Sequence, residues 1–335
     1  MTPAPFGARL DDVVVRFGSQ RRMTAAGATF KDDASTALDG ASLQIRPGVI
    51  TGLLGRNGAG KSTLLSLLAA FNRPTSGTVR VGPEGSGELW ENPWENPWVT
   101  SNVQLVRESG DLQDEEKVSD SLKYYADLRP YWDAELAGRL LDLFEVDPRK
   151  KPSALSRGKR SAVGATIGLA ARAPLTILDE VYLGMDAPTR YAFYDEILTD
   201  YAEHPRTILL SSHLVEEVER LFEDVVVLHR GKVLLAEPAE QMQARGFSLT
   251  GSVRAVEKIV GGRRVLHRQQ LGATVQVTIE GAPADGEAAA ARAAGVEIGS
   301  LPLQDLFVRL TQPGGTDEGT SPVAERSVGG AEAGR

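Results

Sequence analysis

The segment GRNGAGKST, residues 55–63, has the spacing of a loop that binds phosphate groups. Its pattern, G-x-x-x-x-G-K-[ST], lies between the apolar stretch VITGLLG and the helix-like stretch KSTLLSLLAAF. Its glycines let the backbone curl so that successive N–H groups face phosphate oxygens, and the helix N-terminus adds a positive dipole end. The residues predicted to line this phosphate site are Gly55, Arg56, Asn57, Gly58, Ala59, Gly60, Lys61, Ser62 and Thr63.

Two side chains of this loop have specific predicted roles. Lys61 would reach the β- and γ-phosphates of a nucleotide, and the Ser62 hydroxyl would bind Mg²⁺. The alternative is a glycine-rich turn that matches the pattern by chance. The strand and helix predicted on either side disfavour that alternative.

Two acidic residues end the apolar segment LTILDE, residues 175–180. Asp179 would stand at the carboxyl end of a buried strand, where ligands bind in parallel sheets, and would hold Mg²⁺ through water. Glu180 would orient or deprotonate an attacking water. Alone, the segment fits simple solvation of a strand end equally well, so its meaning depends on the phosphate loop.

A histidine, His213, ends a further apolar segment, TILLSSH. A histidine at a strand end is more often a surface or capping residue. After the acidic strand in a phosphate-binding sheet, it could instead donate a hydrogen bond to the γ-phosphate and relay its presence.

The elements that would position these residues alternate between strands and helices from about residue 10 to 240, which predicts an α/β core. Residues of about 115–170 have apolar spacings of three and four and should be helical. The doubled tetrapeptide ENPWENPW, with its two prolines, is predicted to be a loop. We expect a nucleotide-binding domain over 8–245, a small α+β domain over 246–311 and a disordered tail over 312–335.

Composition narrows the class of protein. The chain has 335 residues, a net charge of −8 and no cysteine, so disulfides and thiolate metal sites are excluded. The four histidines are scattered singly, which disfavours a histidine metal cluster, and the net negative charge disfavours binding to nucleic acid. No apolar run is long enough to span a bilayer, and the N-terminus lacks the pattern of a secretory signal.

Taken in order, GRNGAGKST, LSRGK, LTILDE, GMD and SSH resemble the Walker A, signature, Walker B, D-loop and H-switch motifs of ABC-type ATPases. The resemblance covers residues 10 to about 240. It implies the P-loop NTPase fold of an ABC nucleotide-binding domain with a helical subdomain, and it implies ATP and Mg²⁺ as ligands. It also implies a second nucleotide-binding subunit, identical or not, arranged head to tail, and an integral membrane permease subunit.

A narrower resemblance lies in residues 124–160, which are similar to the helical subdomain of single-domain ATPases of ABC-2-type exporters, in the Ytr-like branch. It implies an ATP-hydrolysing subunit that drives export of a drug, peptide or lipid-like substrate. Such a subunit would be bound to the cytoplasmic face of the cell membrane through its permease. In the family, the serine and a glycine of the signature touch the γ-phosphate held by the opposite subunit, roles that Ser156 and Gly158 fit.

Arg157 replaces the usual signature glycine, inside a basic window that runs from Arg149 to Arg160. We consider two interpretations. Arg157 adds charge near the triphosphate in trans or pairs with an acid across the dimer, or it belongs to a solvated basic face.

Several positions depart from the family pattern. Glu108 stands where a glutamine usually faces Mg²⁺, and Gln104 and Gln113 are nearby alternatives. The aromatic residue that stacks on adenine would be Phe30, with Phe17 as the alternative. Asp186 would be the D-loop acid.

Two other functions compete with the transporter. One is a soluble ABC ATPase that acts on ribosomes or DNA. Its ribosomal form usually joins two ATPase domains, whereas one Walker A is present here, and no sustained heptads predict the coiled coil of its DNA-repair form. The other is a regulatory subunit with little turnover, which the paired acids Asp179 and Glu180 disfavour.

Overall fold

A computed structural model describes residues 3–18, 23–24, 27–28, 35–85, 90–108, 111–284 and 286–311. The first third of the chain is mainly β-structure. Its elements are β1 (Phe6–Phe17), β2 (Met23–Thr24), β3 (Gly27–Ala28), β4 (Ser35–Ile45), β5 (Ile50–Leu54), α1 (Lys61–Leu68), β6 (Ser76–Pro83), α2 (Pro97–Ser101) and β7 (Val103–Arg107).

The middle of the chain alternates helices and strands. Its elements are α3 (Val118–Leu128), α4 (Ala134–Leu143), α5 (Arg157–Ala170), β8 (Leu175–Asp179), α6 (Ala187–Glu203), β9 (Thr207–Ser212), α7 (Val215–Val218), β10 (Asp224–His229), β11 (Lys232–Pro238) and α8 (Ala239–Gln243). Single 3₁₀ turns lie at Pro152–Ala154 and Glu219–Leu221.

The C-terminal part repeats strand and helix in a different order. Its elements are β12 (Gly246–Ser252), α9 (Val253–Val260), β13 (Val265–Leu271), β14 (Thr274–Glu280), α10 (Glu287–Ala293), β15 (Glu297–Ser300) and α11 (Leu303–Thr311). The four strands form an antiparallel sheet in the order β13-β14-β12-β15, which is the split βαβ arrangement.

A six-stranded sheet with the order β11-β10-β5-β9-β8-β7 forms the centre of the molecule. All neighbouring pairs from β10 to β7 are parallel, and only β11 runs antiparallel. Every residue of β5, β8 and β9 is buried, as expected of parallel strands covered on both faces. The carboxyl ends of these three strands therefore meet along one edge.

Two apolar clusters cover the faces of this sheet. On one face, α1 packs beneath a three-stranded antiparallel sheet in the order β4-β1-β6. On the other, α5 contributes ten buried residues and packs with α4 and α6. Each large aliphatic side chain buried in this way contributes about 1.5–3 kcal/mol to folding. The two layers hold the strand ends rigid beneath the predicted site.

The C-terminal helix α11 packs on the main body of the protein. Leu303, Leu306 and Phe307 join the same apolar cluster as Val215 and Val218 of α7. The Leu303 amide donates a hydrogen bond to Glu219 over 3.2 Å. Helix α11 therefore lies on the segment that directly follows His213.

Two predictions about secondary structure are wrong in detail. ENPWENPW is not entirely a loop, because Pro97 begins α2 and the Asn96 side chain caps it by accepting from the Val99 amide. The segment LVEEVERLF, residues 214–222, whose sequence predicts a helix, forms only one turn of α-helix and one 3₁₀ turn. None of the described helices combines the length and apolar character needed to cross a membrane.

Candidate nucleotide site

The phosphate loop joins β5 to α1 and curls at two glycines. Gly58 and Gly60 have φ of 79° and 105°, which favours glycine over any residue with a side chain. At Gly60 a Cβ atom would also press on the carbonyl oxygen of Ala37 in β4. The loop thus reaches the N-terminus of α1 in the conformation that the sequence pattern predicts.

Lys61 is the first residue of α1 and is almost completely buried, with 5% of its side chain exposed. Its Nζ donates to the carbonyl oxygen of Gly55 over 2.7 Å and lies 3.0 Å from Oε1 of Glu180. A buried ammonium group requires anionic or carbonyl partners, and here it has both. Lys61 therefore joins the phosphate loop to the end of β8.

The acids at the end of β8 are held by a serine of the next strand. Asp179 is buried, and its Oδ1 accepts from the Ser211 hydroxyl over 2.6 Å. The Glu180 amide donates to the same Ser211 oxygen over 3.0 Å. Glu180 has φ of 51°, a strained value that persists where neighbouring contacts fix it. Ser211 thus fixes both acids.

His213 follows β9 and faces Glu180. Its Nδ1 lies 3.4 Å from Oε2 of Glu180 and 3.1 Å from the hydroxyl oxygen of Tyr182. That hydroxyl oxygen also accepts from the His213 amide and the Ser212 hydroxyl. Burial raises the pKa of the Tyr182 phenol, so the phenol stays neutral. Glu180 consequently lies between Lys61 and His213, one carboxylate oxygen toward each.

A cavity of about 700 Å³ opens beside these residues. Ser62 lines it from the start of α1, Asp179 from the end of β8, and Glu108 from the end of β7. Its remaining lining residues belong to β7 and to the start of the α5 region: Arg107, Leu155, Arg157 and Arg160. The three residues predicted to bind metal therefore share one cavity.

These residues suit a nucleotide phosphate group and Mg²⁺. The phosphate loop is curled at the N-terminus of a helix, with a buried ammonium group at its end. The Ser62 hydroxyl and the Asp179 carboxylate supply oxygen ligands, the type that Mg²⁺ prefers.

The signature residues begin helix α5. Ser156 caps the helix by accepting from the Lys159 amide over 3.3 Å and is exposed. Gly158 lies against the carbonyl oxygen of Gly184, where any Cβ atom would overlap it. The start of α5 therefore sits directly on the segment between Glu180 and Asp186, and Asp186 caps α6 by accepting from the Thr189 amide.

The charges of the basic window are mostly paired within the chain. Arg157 pairs with Glu108 of the same chain. Lys159 donates to the carbonyl oxygen of Phe144 over 2.5 Å, at the end of α4. The other ion pairs of the window are Arg149–Asp147, Lys151–Glu115, Lys159–Glu145 and Arg160–Asp114. Lys159 and Arg160 thus connect α5 to the end of α4 and to the segment after β7, whereas Arg149, Lys151 and Arg157 stay more than half exposed to solvent.

The remaining predicted site residues are placed unequally. Gln104 is buried in β7 and donates to the carbonyl oxygen of Leu105, so it does not reach the cavity, and Gln113 is exposed. Glu108 keeps its predicted place on the cavity wall. Phe30 lies outside the described residues, and Phe17 is 46% exposed at the end of β1.

Sequence reasoning missed two residues of the site. Ser211 lies opposite Asp179 in the β8–β9 register, and pairing the two apolar segments end to end would have found it. Tyr182 is fully buried and follows Glu180 by two residues. No local signal separates this tyrosine from an ordinary core aromatic residue.

Comparison with known proteins agrees with this geometry. The sequence profile described as ABC transporter matches residues 38–182. ABC transporter ATP-binding protein YtrB of Bacillus subtilis is 31% identical over 189 residues, which are 56% of this chain and 62% of that protein. Taurine import ATP-binding protein TauB of Chromobacterium violaceum is 32% identical over 234 residues, 68% of this chain and 85% of that protein.

The fold agrees as well. A dimeric ATP-binding cassette solved in a post-hydrolysis state with ADP and Pi superposes with a TM-score of 0.56 at 20% identity, covering 69% of this chain and 98% of that chain. At that identity the likeness concerns the fold alone. The similarity to TauB over most of the length of that protein shows that this chain belongs to the ATP-binding, ATP-hydrolysing subunits of ABC transporters.

Proposed function

We propose that this chain hydrolyses MgATP to energise transport through a separate membrane subunit. The observation that carries the proposal is the placement of Glu180 between the ammonium group of Lys61 and the imidazole ring of His213. Its carboxylate oxygens lie 3.0 Å from Nζ of Lys61 and 3.4 Å from Nδ1 of His213. This arrangement lies at the edge of the sheet formed by the carboxyl ends of β5 and β8, beside the phosphate loop.

The side chains divide the work of attack by water on the γ-phosphate. Glu180 accepts the proton of the water, and Lys61 stabilises charge on the phosphate oxygens. His213 donates to the γ-phosphate, with its ring orientation fixed by Tyr182. Bound Mg²⁺, held by Ser62 and Asp179 with Glu108 beside them, would neutralise charge on the phosphates.

The second part of the proposal is a two-subunit site. Ser156 is exposed at the N-terminus of a 14-residue helix, whose dipole favours an anion. In the proposed assembly, Ser156 and Gly158 of one subunit close the nucleotide site of the other. The dimer of the solved ATP-binding cassette supports this arrangement by analogy. The second subunit is another copy of this chain or a sister subunit.

The third part concerns transport. We propose export of a drug, peptide or lipid-like substrate, with this chain bound at the cytoplasmic face of the membrane through a permease subunit. The support is the likeness of residues 124–160 to Ytr-like exporter ATPases. TauB, an importer subunit, also resembles this chain, so the direction of transport must be measured separately.

The function is tested with Glu180→Gln, which keeps size and removes the base. We expect hydrolysis to fall at least about 100-fold while ATP binding persists, because general-base catalysis contributes about 10²–10⁴. The exposed Glu135→Gln is the matched control and should keep full activity. In MgATP, the Glu180→Gln protein should run as a two-subunit complex by light scattering. Wild-type hydrolysis by Glu180→Gln would remove Glu180 as the base.

The partner is tested by co-purification from membranes with Glu180→Gln as bait. Recovery of a polytopic membrane protein, and ATP-dependent efflux in cells expressing both chains, would support the exporter. Recovery of ribosomes or DNA instead, with no membrane protein, would replace it with a soluble ABC ATPase.

A further inference from the structure

Two oppositely charged side chains join distant parts of the site within one chain. Nη2 of Arg157, the first residue of α5, donates to Oε1 of Glu108, which follows β7. Their side chains are 68% and 43% exposed, so water reaches the pair. Exposed ion pairs contribute no more than about 1 kcal/mol, and such a contact opens readily.

Hydrogen bonds to backbone carbonyl groups fix the two segments that carry this contact. Ser161, fully buried in α5, places its hydroxyl 2.6 Å from the carbonyl oxygen of Leu183 and 3.3 Å from that of Glu108. The aliphatic part of Arg157 packs on Gly184, which has φ of 84°. Because the start of α5 is fixed on both segments, the guanidinium group has a defined place beside Glu108.

Glu108 also lies where its carboxylate can bind a metal ion. It lines the same cavity as Ser62 and Asp179, the two residues that we propose as metal ligands. Its preceding residue, Arg107, lies opposite Asp179 in the β7–β8 register, so Glu108 extends one residue beyond the level of Asp179. A divalent cation in this cavity would attract the Glu108 carboxylate away from Arg157, because a carboxylate prefers Mg²⁺ to an exposed guanidinium.

We propose that the Glu108–Arg157 pair is a latch within one chain that bound MgATP opens. Arg157 is then a positioning residue that withholds Glu108 from the metal and so sets how strongly the site prefers metal-bound over metal-free nucleotide. This inference rests on the proposed ATP site. It gives Arg157 a role inside the chain, distinct from the role across a dimer that the sequence predicts.

The test measures binding of the non-hydrolysable analogue AMP-PNP by calorimetry, once with Mg²⁺ and once with EDTA. The measured quantity is the ratio of the two dissociation constants, EDTA over Mg²⁺. We expect Arg157→Gln to raise this ratio about two- to five-fold over wild type, because the mutation frees Glu108, and Arg157→Lys to stay near wild type. If both affinities fall together with the ratio unchanged, Arg157 contacts phosphate directly. If neither affinity changes, Arg157 is only a solvated side chain. Either result overturns the latch.

Two controls make the result specific. Lys151→Gln breaks another exposed pair, Lys151–Glu115, between the same two regions of the chain but away from the cavity lining, and should leave the ratio unchanged. In a protein that already carries Glu108→Gln, Arg157→Gln should no longer change the ratio of dissociation constants. A change as large as the one in the wild-type background would refute the proposed role of the pair. Failure of the wild type to bind AMP-PNP at all would instead count against the proposed function.

Discussion

The hydroxyl of Ser211 lies 2.6 Å from Oδ1 of Asp179, and both residues are buried. The Ser211 hydroxyl oxygen also accepts a hydrogen bond from the amide of Glu180 over 3.0 Å. One side chain of β9 therefore fixes a proposed metal ligand and the backbone of the proposed base. This links hydrolysis to a residue that need touch neither nucleotide nor metal.

Replacing Ser211 with alanine should impair hydrolysis more than binding. The mutation leaves the Asp179 carboxylate and the Glu180 amide without a partner, at a cost of about 1–3 kcal/mol in stability. Because the positions of both acids relax, we expect kcat to fall about 10-fold or more, as loss of transition-state contacts does. The measurements are steady-state hydrolysis and urea unfolding.

The matched control is Thr166→Val in α5. Thr166 is also fully buried, but its hydroxyl donates only to a carbonyl oxygen of its own helix, that of Ala162. Its loss should leave kcat unchanged. Equal falls in kcat for Ser211→Ala and Thr166→Val would show that Ser211 acts only through general stability.

Two helical glycines should respond oppositely to alanine. At Gly158 a Cβ atom would overlap the carbonyl oxygen of Gly184, so Gly158→Ala must displace the start of α5. We expect lower stability by about 1–3 kcal/mol and weaker MgATP-dependent assembly. At Gly138, in α4, the Cβ direction is open, and Gly138→Ala should raise stability by about 0.5–1 kcal/mol. Thermal unfolding checks both, and a Gly158→Ala protein as stable as wild type would contradict the close contact.

The fold and site follow from the sequence where the signals are local or repeat along parallel strands. The apolar runs that became β5, β8 and β9 end in chemically distinctive residues, and parallel strands bring those ends together. This is why the motifs that contain Lys61, Glu180 and His213, although far apart in the sequence, lie close together in the fold.

Other parts could not be predicted in the same way. The pairing of Arg157 with Glu108 spans 49 residues and depends on how α5 packs, which no local pattern records. In the C-terminal part, the sequence predicts two strands where β13 and β14 lie and two helices where α10 and α11 lie, but it does not predict β12, α9 or β15. Strand β12, GFSLTGS, contains glycine and short polar residues, which weaken a β-signal, and its pairing with β14 and β15 supplies what propensity lacks.

Removing the Tyr182 hydroxyl should remove its contact with the His213 ring without disturbing the apolar core. Tyr182→Phe keeps the ring contacts with Tyr194 and loses the contact with Nδ1 of His213. We expect kcat to fall about three- to ten-fold, with stability lower by about 1 kcal/mol. Because burial raises the Tyr182 pKa, the alkaline limb of the pH–rate profile should be the same in both proteins. A limb that moved with the mutation would show that the phenol itself titrates in catalysis.

A last prediction concerns Glu219, which accepts from the Leu303 amide where α11 docks behind His213. Burial raises its pKa above the ordinary value of 4.5, and Glu216 and Asp305 raise it further. With a raised folded-state pKa, the folded protein holds the proton more tightly than the unfolded chain. Stability therefore falls as pH rises from 4.5 through the folded-state pKa, and the loss is complete above it.

Glu219→Gln removes this charge and keeps an oxygen acceptor for Leu303. At neutral pH the variant should be more stable than wild type, by less than about 1 kcal/mol because the site is partly exposed. Well below pH 4.5 the difference should vanish, because Glu219 is then neutral in both the folded and the unfolded protein. Urea unfolding at the two pH values measures this, with the exposed Glu240→Gln as a charge-matched control. If Glu219→Gln were less stable at neutral pH, the ionised carboxylate would be holding α11 in place, and burial would not dominate at this site.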